Sequence, residues 1–292
     1  MSFIIVEPRE APLILSIPHA GTEIPEEIAS RLLSMDLALK DTDWWMAELY
    51  GFARDLGATV LRTTTSRTVI DVNRDPSGAS LYPGQATTGL VPTETFDGEP
   101  LYRAGLEPDA GEVAARRQTW FEPYHAALAA QIERLRARHR RLVLYDCHSI
   151  RSRVPRLFAG ELPVFNIGTN EGRSAEGSIV TAVETVCRAT GQPTVVDGRF
   201  KGGWITRQYG RPGAGVEAIQ MELAQRFYMD EAKPDPEPLS KKSPLPTKAW
   251  GEGVIGAFAE MGGGAGVGSA ERMDAAAAIL RHILDAVLEA IG

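Results

Sequence analysis

Short apolar runs rich in β-branched residues alternate along this chain with longer segments of helical period, and no other feature narrows the fold as much. The runs at 13–17, 59–63, 68–72, 142–147, 164–167, 194–197 and 216–223 predict strands. Most are too short and too apolar to be amphipathic, so they imply strands buried on both faces. Helical spacing predicts helices over 25–34, 42–56, 110–140, 174–190 and 270–291. In the second of these, Trp45, Leu49, Phe52, Ala53 and Leu56 form one apolar stripe ahead of a Gly57 stop. Strands that alternate with helices make the expected class α/β, a largely parallel sheet covered on both sides.

Composition excludes several kinds of partner. The 292 residues carry 31 Lys and Arg against 38 Asp and Glu, a net charge of -7. The arginine-rich stretch from Ile132 to Arg141 keeps a helical stripe through Ile132, Leu135 and His139, so it reads as a solvated face and not as a nucleic-acid footprint. No segment is apolar for long enough to span a membrane, and the N-terminus lacks the pattern of a secretory signal. Cys147 and Cys187, without CxxC spacing, agree with a reducing, cytoplasmic setting. The length fits one domain over 1–292. Within it, the Gly-, Pro- and Thr-rich stretch at 77–108 is expected to be a lid loop. The Pro-rich stretch at 233–246 is expected to be an extended strap, and the Gly262-Gly263-Gly264-Ala265-Gly266 run a hinge.

The chemistry concentrates at predicted strand ends. His19 follows the 13–17 run and His148 follows the 142–147 run, and open α/β sheets place their sites at the C-terminal edges of strands. Each histidine alone also fits a capping or core role, but two in one topological position suit a zinc ion with three protein ligands and an open fourth site. Glu23, Asp41 and Asp43 are the candidate carboxylate ligands, the aspartates being equally suited to cap a helix start. Asp146, two residues before His148, is placed to orient an imidazole. Arg67, Asp71, Asn73 and Arg74 surround a short apolar run with donors that suit a carboxylate, or form a surface ion pair. In the last strand, Ala218, Gln220 and Glu222 point one way, with Glu222 at the end as a general base or a helix cap. GxSxG, Walker and GxGxxG motifs are absent, and metal-assisted hydrolysis fits this inventory best.

The blocks Ser16-Ile17-Pro18-His19-Ala20-Gly21, Asp41-Thr42-Asp43-Trp44, Ser66-Arg67 with Asp71-Val72-Asn73-Arg74, Asp146-Cys147-His148-Ser149-Ile150-Arg151, Gly202-Gly203-Trp204-Ile205-Thr206-Arg207 and Gln220-Met221-Glu222-Leu223 resemble the N-formylglutamate amidohydrolase (N-formylglutamate deformylase) family. The resemblance spans about residue 12 to residue 231. It implies a three-layer sandwich with a central mixed, mostly parallel sheet, phosphorylase/hydrolase-like and related to zinc carboxypeptidases and aspartoacylase. The implied reaction is hydrolysis of N-formyl-L-glutamate to formate and L-glutamate in histidine breakdown. Asp71-Val72-Asn73-Arg74 matches the DxNR motif whose Asn and Arg bind a substrate carboxylate in those relatives, and Arg67 resembles their carbonyl-polarising arginine. Their HxxE zinc motif is not reproduced, since Thr22 stands three residues after His19.

The resulting expectation is one zinc ion on His19, Asp43 and His148, with Asp43 preferred to Glu23. Glu222 is expected as base and Arg67 at the oxyanion. Asn73 and Arg74 are expected to hold the α-carboxylate, and Thr206, Arg207 or Arg151 the side-chain carboxylate of a small dianionic substrate. The alternatives are a deacylase of another N-acyl amino acid, such as N-acyl-aspartate, and a metal-free carboxylate-binding protein.

Overall fold

All five residues from Leu13 to Ile17 are buried and form a strand with the bounds that the apolar run predicts. The computed structural model describes residues 2–231 and 269–292. In chain order the strands are β1 (Ile4–Glu7), β2 (Leu13–Ile17), β3 (Thr59–Thr63), β4 (Leu142–Ile150), β5 (Phe165–Gly168), β6 (Thr194–Val196) and β7 (Val216–Ala224). They form one seven-stranded sheet in the order β1-β3-β2-β4-β7-β5-β6. The neighbours β3, β2, β4 and β7 run parallel, as do β5 and β6, whereas β1 and β5 lie antiparallel to β3 and β7. The fold is therefore α/β with a mixed, mostly parallel sheet.

The period-two alternation of the central strands builds a core on each face. Leu13, Leu15, Val143, Tyr145, Ile219 and Met221 face one side. They pack there against the helices α3 (Met46–Leu49), α6 (Gly177–Ala189) and α8 (Ser269–Ile291). Ile14, Leu142, Leu144 and Ala218 face the other side. Their partners are Tyr124, Leu128 and Leu135 of α5 (Glu122–Arg136) and Ile205 of α7 (Trp204–Tyr209). Each such side chain contributes about 1.5–3 kcal/mol when withdrawn from water, so the paired faces fix the strand register.

Several elements differ from expectation for local reasons. Residues 68–72 are not a strand. Ser66 Oγ accepts from Thr68 N–H at 3.2 Å, Ser66 O accepts from Val69 N–H at 3.0 Å, and Asp71 Oδ1 accepts from Asn73 N–H at 2.9 Å. These short-range bonds satisfy the backbone in turns and remove it from the ladder. The 42–56 helix shrinks to α3 followed by a 3₁₀ turn, because Trp45 adopts φ of 61° and interrupts the helix start. The 25–34 helix is reduced to α1 (Glu26–Ala29), and α2 (Met35–Leu39), β1 and α7 were not anticipated. The 110–140 helix is α4 (Ala110–Arg116) joined to α5 through a widened π turn over 117–121. The 77–108 stretch holds no helix or strand, yet Leu90, Val91, Phe96, Leu101 and Tyr102 bury its second half. The strap at 233–246 and the glycine run at 262–266 lie outside the described residues. Among the described residues no helix is long and apolar enough to cross a membrane.

Candidate active site

On the α5/α7 face, the even-numbered residues of β4 and β7 change from apolar to polar toward the C-terminal end of the sheet. Leu142 and Leu144 give way to Asp146 and His148, and Ala218 gives way to Gln220 and Glu222. The parallel register pairs Asp146 with Gln220 and His148 with Glu222. His19 lies two residues beyond β2, whose Ser16 pairs with Asp146, so it reaches the same edge. The turn after His19 runs against the chain beyond β3, where a Cβ on Gly21 would stand 2.4 Å from Thr65 O. Only glycine permits that approach. Asp43 arrives from the loop before α3, held by its own N–H to His19 O at 3.1 Å and by Ser149 N–H to its Oδ2 at 3.1 Å.

Three donor atoms converge there. His19 Nδ1 and His148 Nδ1 are 3.1 Å apart, and Asp43 Oδ2 lies 3.7 Å from the first and 3.2 Å from the second. The outer nitrogens meet carboxylates, His19 Nε2 with Asp71 Oδ1 at 2.7 Å and His148 Nε2 with Asp146 Oδ2 at 2.8 Å. A carboxylate has no proton to give, so each Nε2 carries the hydrogen and each Nδ1 keeps a lone pair directed inward. Two lone pairs and a carboxylate oxygen at these spacings repel unless something positive stands between them. Tetrahedral ligands about 2.0–2.2 Å from a zinc ion lie about 3.4 Å apart, so donor set and spacing fit such an ion. Without one, a proton substitutes: burial opposes the charge on His148, but Asp146 and Asp43 outweigh it and hold the pKa well above 6.5. Burial likewise opposes the charge on Asp43, yet its bonds to His148 and His19 keep its pKa below the ordinary 3.8.

Asn73 ties this framework to α7. Its Oδ1 accepts from Ile205 N–H at 2.7 Å, one of the donors that a helix start leaves unpaired. The amide nitrogen then points at Asp146 Oδ2, 3.1 Å away, and lies 2.9 Å from His148 Nε2. Gly203, at the start of α7, leaves room for this amide, since a Cβ there would stand 2.4 Å from Asn73 Nδ2.

The donors open into a cleft at the C-terminal edge of the sheet. Arg67, Arg74, Arg199 and Glu222 line it together with the two histidines. Glu222 is only 7% exposed, and burial, the dominant influence, pushes its pKa up to about 8 against an ordinary 4.5. Arg67 donates to Asp71 Oδ2 at 2.6 Å, lies 3.4 Å from Asp43 Oδ1 and stacks 4.7 Å from the centre of the Phe96 ring. Burial opposes its charge, but Asp71, Asp43 and Asp41 more than compensate and raise its pKa. Arg74 donates to Thr88 O at 3.0 Å and to Thr88 Oγ1 at 3.1 Å, with Asp71 Oδ2 at 3.5 Å.

Comparison with known proteins adds ancestry to this geometry. Residues 11–229 match the sequence signature of the N-formylglutamate amidohydrolase family. The chain belongs to that family. An N-formylglutamate deformylase of Pseudomonas putida is 46% identical over 224 residues, 76% of this chain and 84% of that protein. One from Pseudomonas aeruginosa is 47% identical over the same shares of the two chains. The crystal structure of N-formylglutamate amidohydrolase from Ralstonia eutropha JMP134 superposes with a TM-score of 0.72 at 22% identity, covering 98% of each chain, and so shares the fold. The Agrobacterium tumefaciens gene product Atu2144 has the same fold at a TM-score of 0.61 and 18% identity, covering 80% of this chain and 89% of that one.

In this member of the N-formylglutamate amidohydrolase family the residues expected from sequence divide into two groups. His19, Arg67, Asn73, Arg74, His148 and Glu222 all line the cleft, and Asp43 closes the donor triad behind it. Glu23 is exposed and accepts from Thr64 Oγ1 at 2.7 Å, away from the triad. Arg151 lies outside the cleft and is neutralised by Asp41 at 3.0 Å and Asp97 at 2.8 Å. Thr206 is fully buried in α7, and Arg207 Nε donates to Gly202 O at 2.9 Å with its guanidinium over Tyr82, so neither lines the cleft. Sequence reading passed over Asp71 as the orienting partner of His19, although the Asp-x-Asn spacing signals a turn that exposes such a carboxylate. It also passed over Arg199 and Gln220. Gln220 accepts from Gly203 N–H at 2.7 Å and donates toward Glu222 Oε2 at 3.3 Å.

Proposed function

We propose that this protein is a metal-dependent N-formylglutamate deformylase, and that His19, Asp43 and His148 hold its single zinc ion. The observation that carries the reading is the convergence of two inward imidazole lone pairs and one carboxylate oxygen beside Glu222, in a cleft lined by arginines. The names of the two Pseudomonas relatives supply the substrate. Zinc in such a site supplies a water of lowered pKa and draws charge from a carbonyl oxygen.

The chain's own groups do the rest. Asp71 and Asp146 fix the imidazole tautomers. One Glu222 carboxylate oxygen takes a proton from the attacking water as its oxygen bonds to the formyl carbon. Glu222 then delivers that proton to the amide nitrogen as the carbon–nitrogen bond breaks, and the proton left on the added hydroxyl passes to the departing amine, so that formate and glutamate with a protonated amine are released. A pKa raised by burial suits a group that must both accept and return a proton near neutral pH. Arg67 faces the reacting carbonyl with a charge held beside Asp43 and Asp71, and Arg74 holds the α-carboxylate. Asn73, whose amide is engaged at both ends, acts by holding Asp146 and α7 in place.

On this reading the chain shares its layered sheet and DxNR placement with zinc carboxypeptidases and serves histidine degradation in the cytoplasm. The loop at 77–108, whose Ala86 and Thr88 carbonyls bind Arg199 and Arg74, covers the substrate. The test is formate or acetate release across a panel of N-formyl and N-acetyl amino acids with zinc supplied. N-formylglutamate should be the best substrate, and a preference for N-acetyl-aspartate would replace this reading with that of a different deacylase.

A further inference from the structure

Among the described residues three arginines line the cleft, and two of them are neutralised from within the protein. Arg67 faces Asp43 and Asp71, and Arg74 faces Asp71. Arg199 has no carboxylate partner among the described residues. It is half-buried, its Nε donating to Leu157 O at 2.8 Å and its Nη2 to Ala86 O at 2.7 Å. Its guanidinium sits 5.4 Å from the centre of the Tyr82 ring and 5.3 Å from that of Phe200. A guanidinium has five N–H donors, and these two bonds leave Nη1 uncommitted. The two rings and the two carbonyl bonds restrict its motion, so its orientation is set before anything binds. Burial, the largest influence, and the nearby Arg74 lower its pKa from 12.5 although Tyr82 and Glu222 act the other way, so no acid fully compensates its charge.

We infer that Arg199 is a specificity-determining residue that takes the side-chain carboxylate of a dicarboxylic formylamino acid. This deepens the deformylase reading and rests on it. Arg74 is joined through Asp71 to His19, close to where the amide reacts, and suits the α-carboxylate on the carbon that bears the reacting nitrogen. Arg199 is anchored to the carbonyls of two loops, at Ala86 and Leu157, and suits a carboxylate two carbons further out. A fork with no ion-paired acid among the described residues, inside a chain of net charge -7, is a binding feature for an anion that arrives with the substrate.

The experiment compares kcat/KM for N-formylglutamate with that for N-formylglutamine, an analogue of nearly the same shape whose side chain is uncharged and whose α-carboxylate is kept, in wild type, Arg199→Gln and Arg199→Lys. Losing the charge should lower the N-formylglutamate value by about 10²-fold while the N-formylglutamine value stays within about threefold. Arg199→Lys, which keeps the charge but loses the two loop carbonyls, should retain part of the discrimination. If both substrates fall together in Arg199→Gln, the residue only braces the loops and the inference is wrong. If wild type turns over N-formylglutamate but does not prefer it, the inference fails and the deformylase reading stands. If wild type releases formate from neither, that reading fails. Calorimetric titration of the zinc-loaded protein with L-glutamate and with L-glutamine then judges Arg199 without turnover: Arg199→Gln should weaken only the first, and equal effects would overturn the assignment.

Discussion

His148 on β4 and Glu222 on β7 are register partners on adjacent parallel strands, and their side chains leave the same face of the sheet at its C-terminal edge. The proposed metal ligand and the proposed base are therefore positioned by the most regular part of the fold, a nine-residue pairing in which every residue of both strands is buried. That rigidity allows the two roles to be separated by mutation.

Glu222→Gln keeps the side-chain shape and removes the proton acceptor. We expect kcat to fall by about 10²–10⁴ with zinc content unchanged. Metal analysis beside the assay decides between roles, because loss of zinc in this variant would make Glu222 a ligand.

His148→Ala should lower zinc occupancy per chain, since one of three donors is lost. His139→Ala should not, because that ring bonds Glu10 O at 2.8 Å and precedes β4 at the opposite end of the strand. Equal metal loss from both would mean that zinc is held elsewhere.

The two cleft arginines bonded to Asp71 should separate kinetically. Arg74→Lys gives up the fork and the bonds to Thr88, so it should raise KM more than it lowers kcat. Arg67→Lys should mainly lower kcat, because charge on the carbonyl oxygen develops only in the transition state, and one such donor is worth about 10²–10³ in rate. An unchanged KM for N-formylglutamate in Arg74→Lys would remove the α-carboxylate clamp.

Metal-free protein should lose stability as pH rises from 6.5 to 8. Burial raises Glu222 from 4.5 to about 8, so across that window the folded chain keeps a proton that the unfolded chain has released. Folding therefore weakens with rising pH, by at most about 1.4 kcal/mol per pH unit from Glu222, and His148, whose pKa is held well above 6.5 by Asp146 and Asp43 against the opposing effect of burial, adds a slope of the same sign. His125, which burial lowers from 6.5 to about 4, acts below this window with the opposite sign, stability being lost as pH falls through it. Denaturant titration of metal-free wild type and Glu222→Gln should give a steeper pH slope for wild type. Equal slopes would show that Glu222 is ionised throughout.

The legible parts of this molecule were those fixed by burial. The runs that became β2, β3, β4 and β7 were visible because two-sided burial leaves little besides apolar residues, and His19 and His148 could be placed because both stand at the ends of such runs. Residues 68–72 misled because Val69, Ile70 and Val72 are buried as a strand's residues would be, while the turns are imposed by Ser66 and Asp71 on their own backbone. Arg199 was illegible for another reason: its partners are backbone carbonyls at Leu157 and Ala86, which any residue supplies and no motif announces. Arg151 attracted attention through its block, yet Asp41 and Asp97 neutralise it outside the cleft.

The central claim is that His19, Asp43 and His148 hold a metal without which the amide is not cleaved. The most direct measurement is formate release from N-formylglutamate by chelator-stripped protein as zinc is returned. We expect no release at the start and a rise to a plateau at about one zinc per chain, the stoichiometry of a single three-ligand catalytic site. Full formate release by the stripped protein, before any zinc is added, would contradict the account.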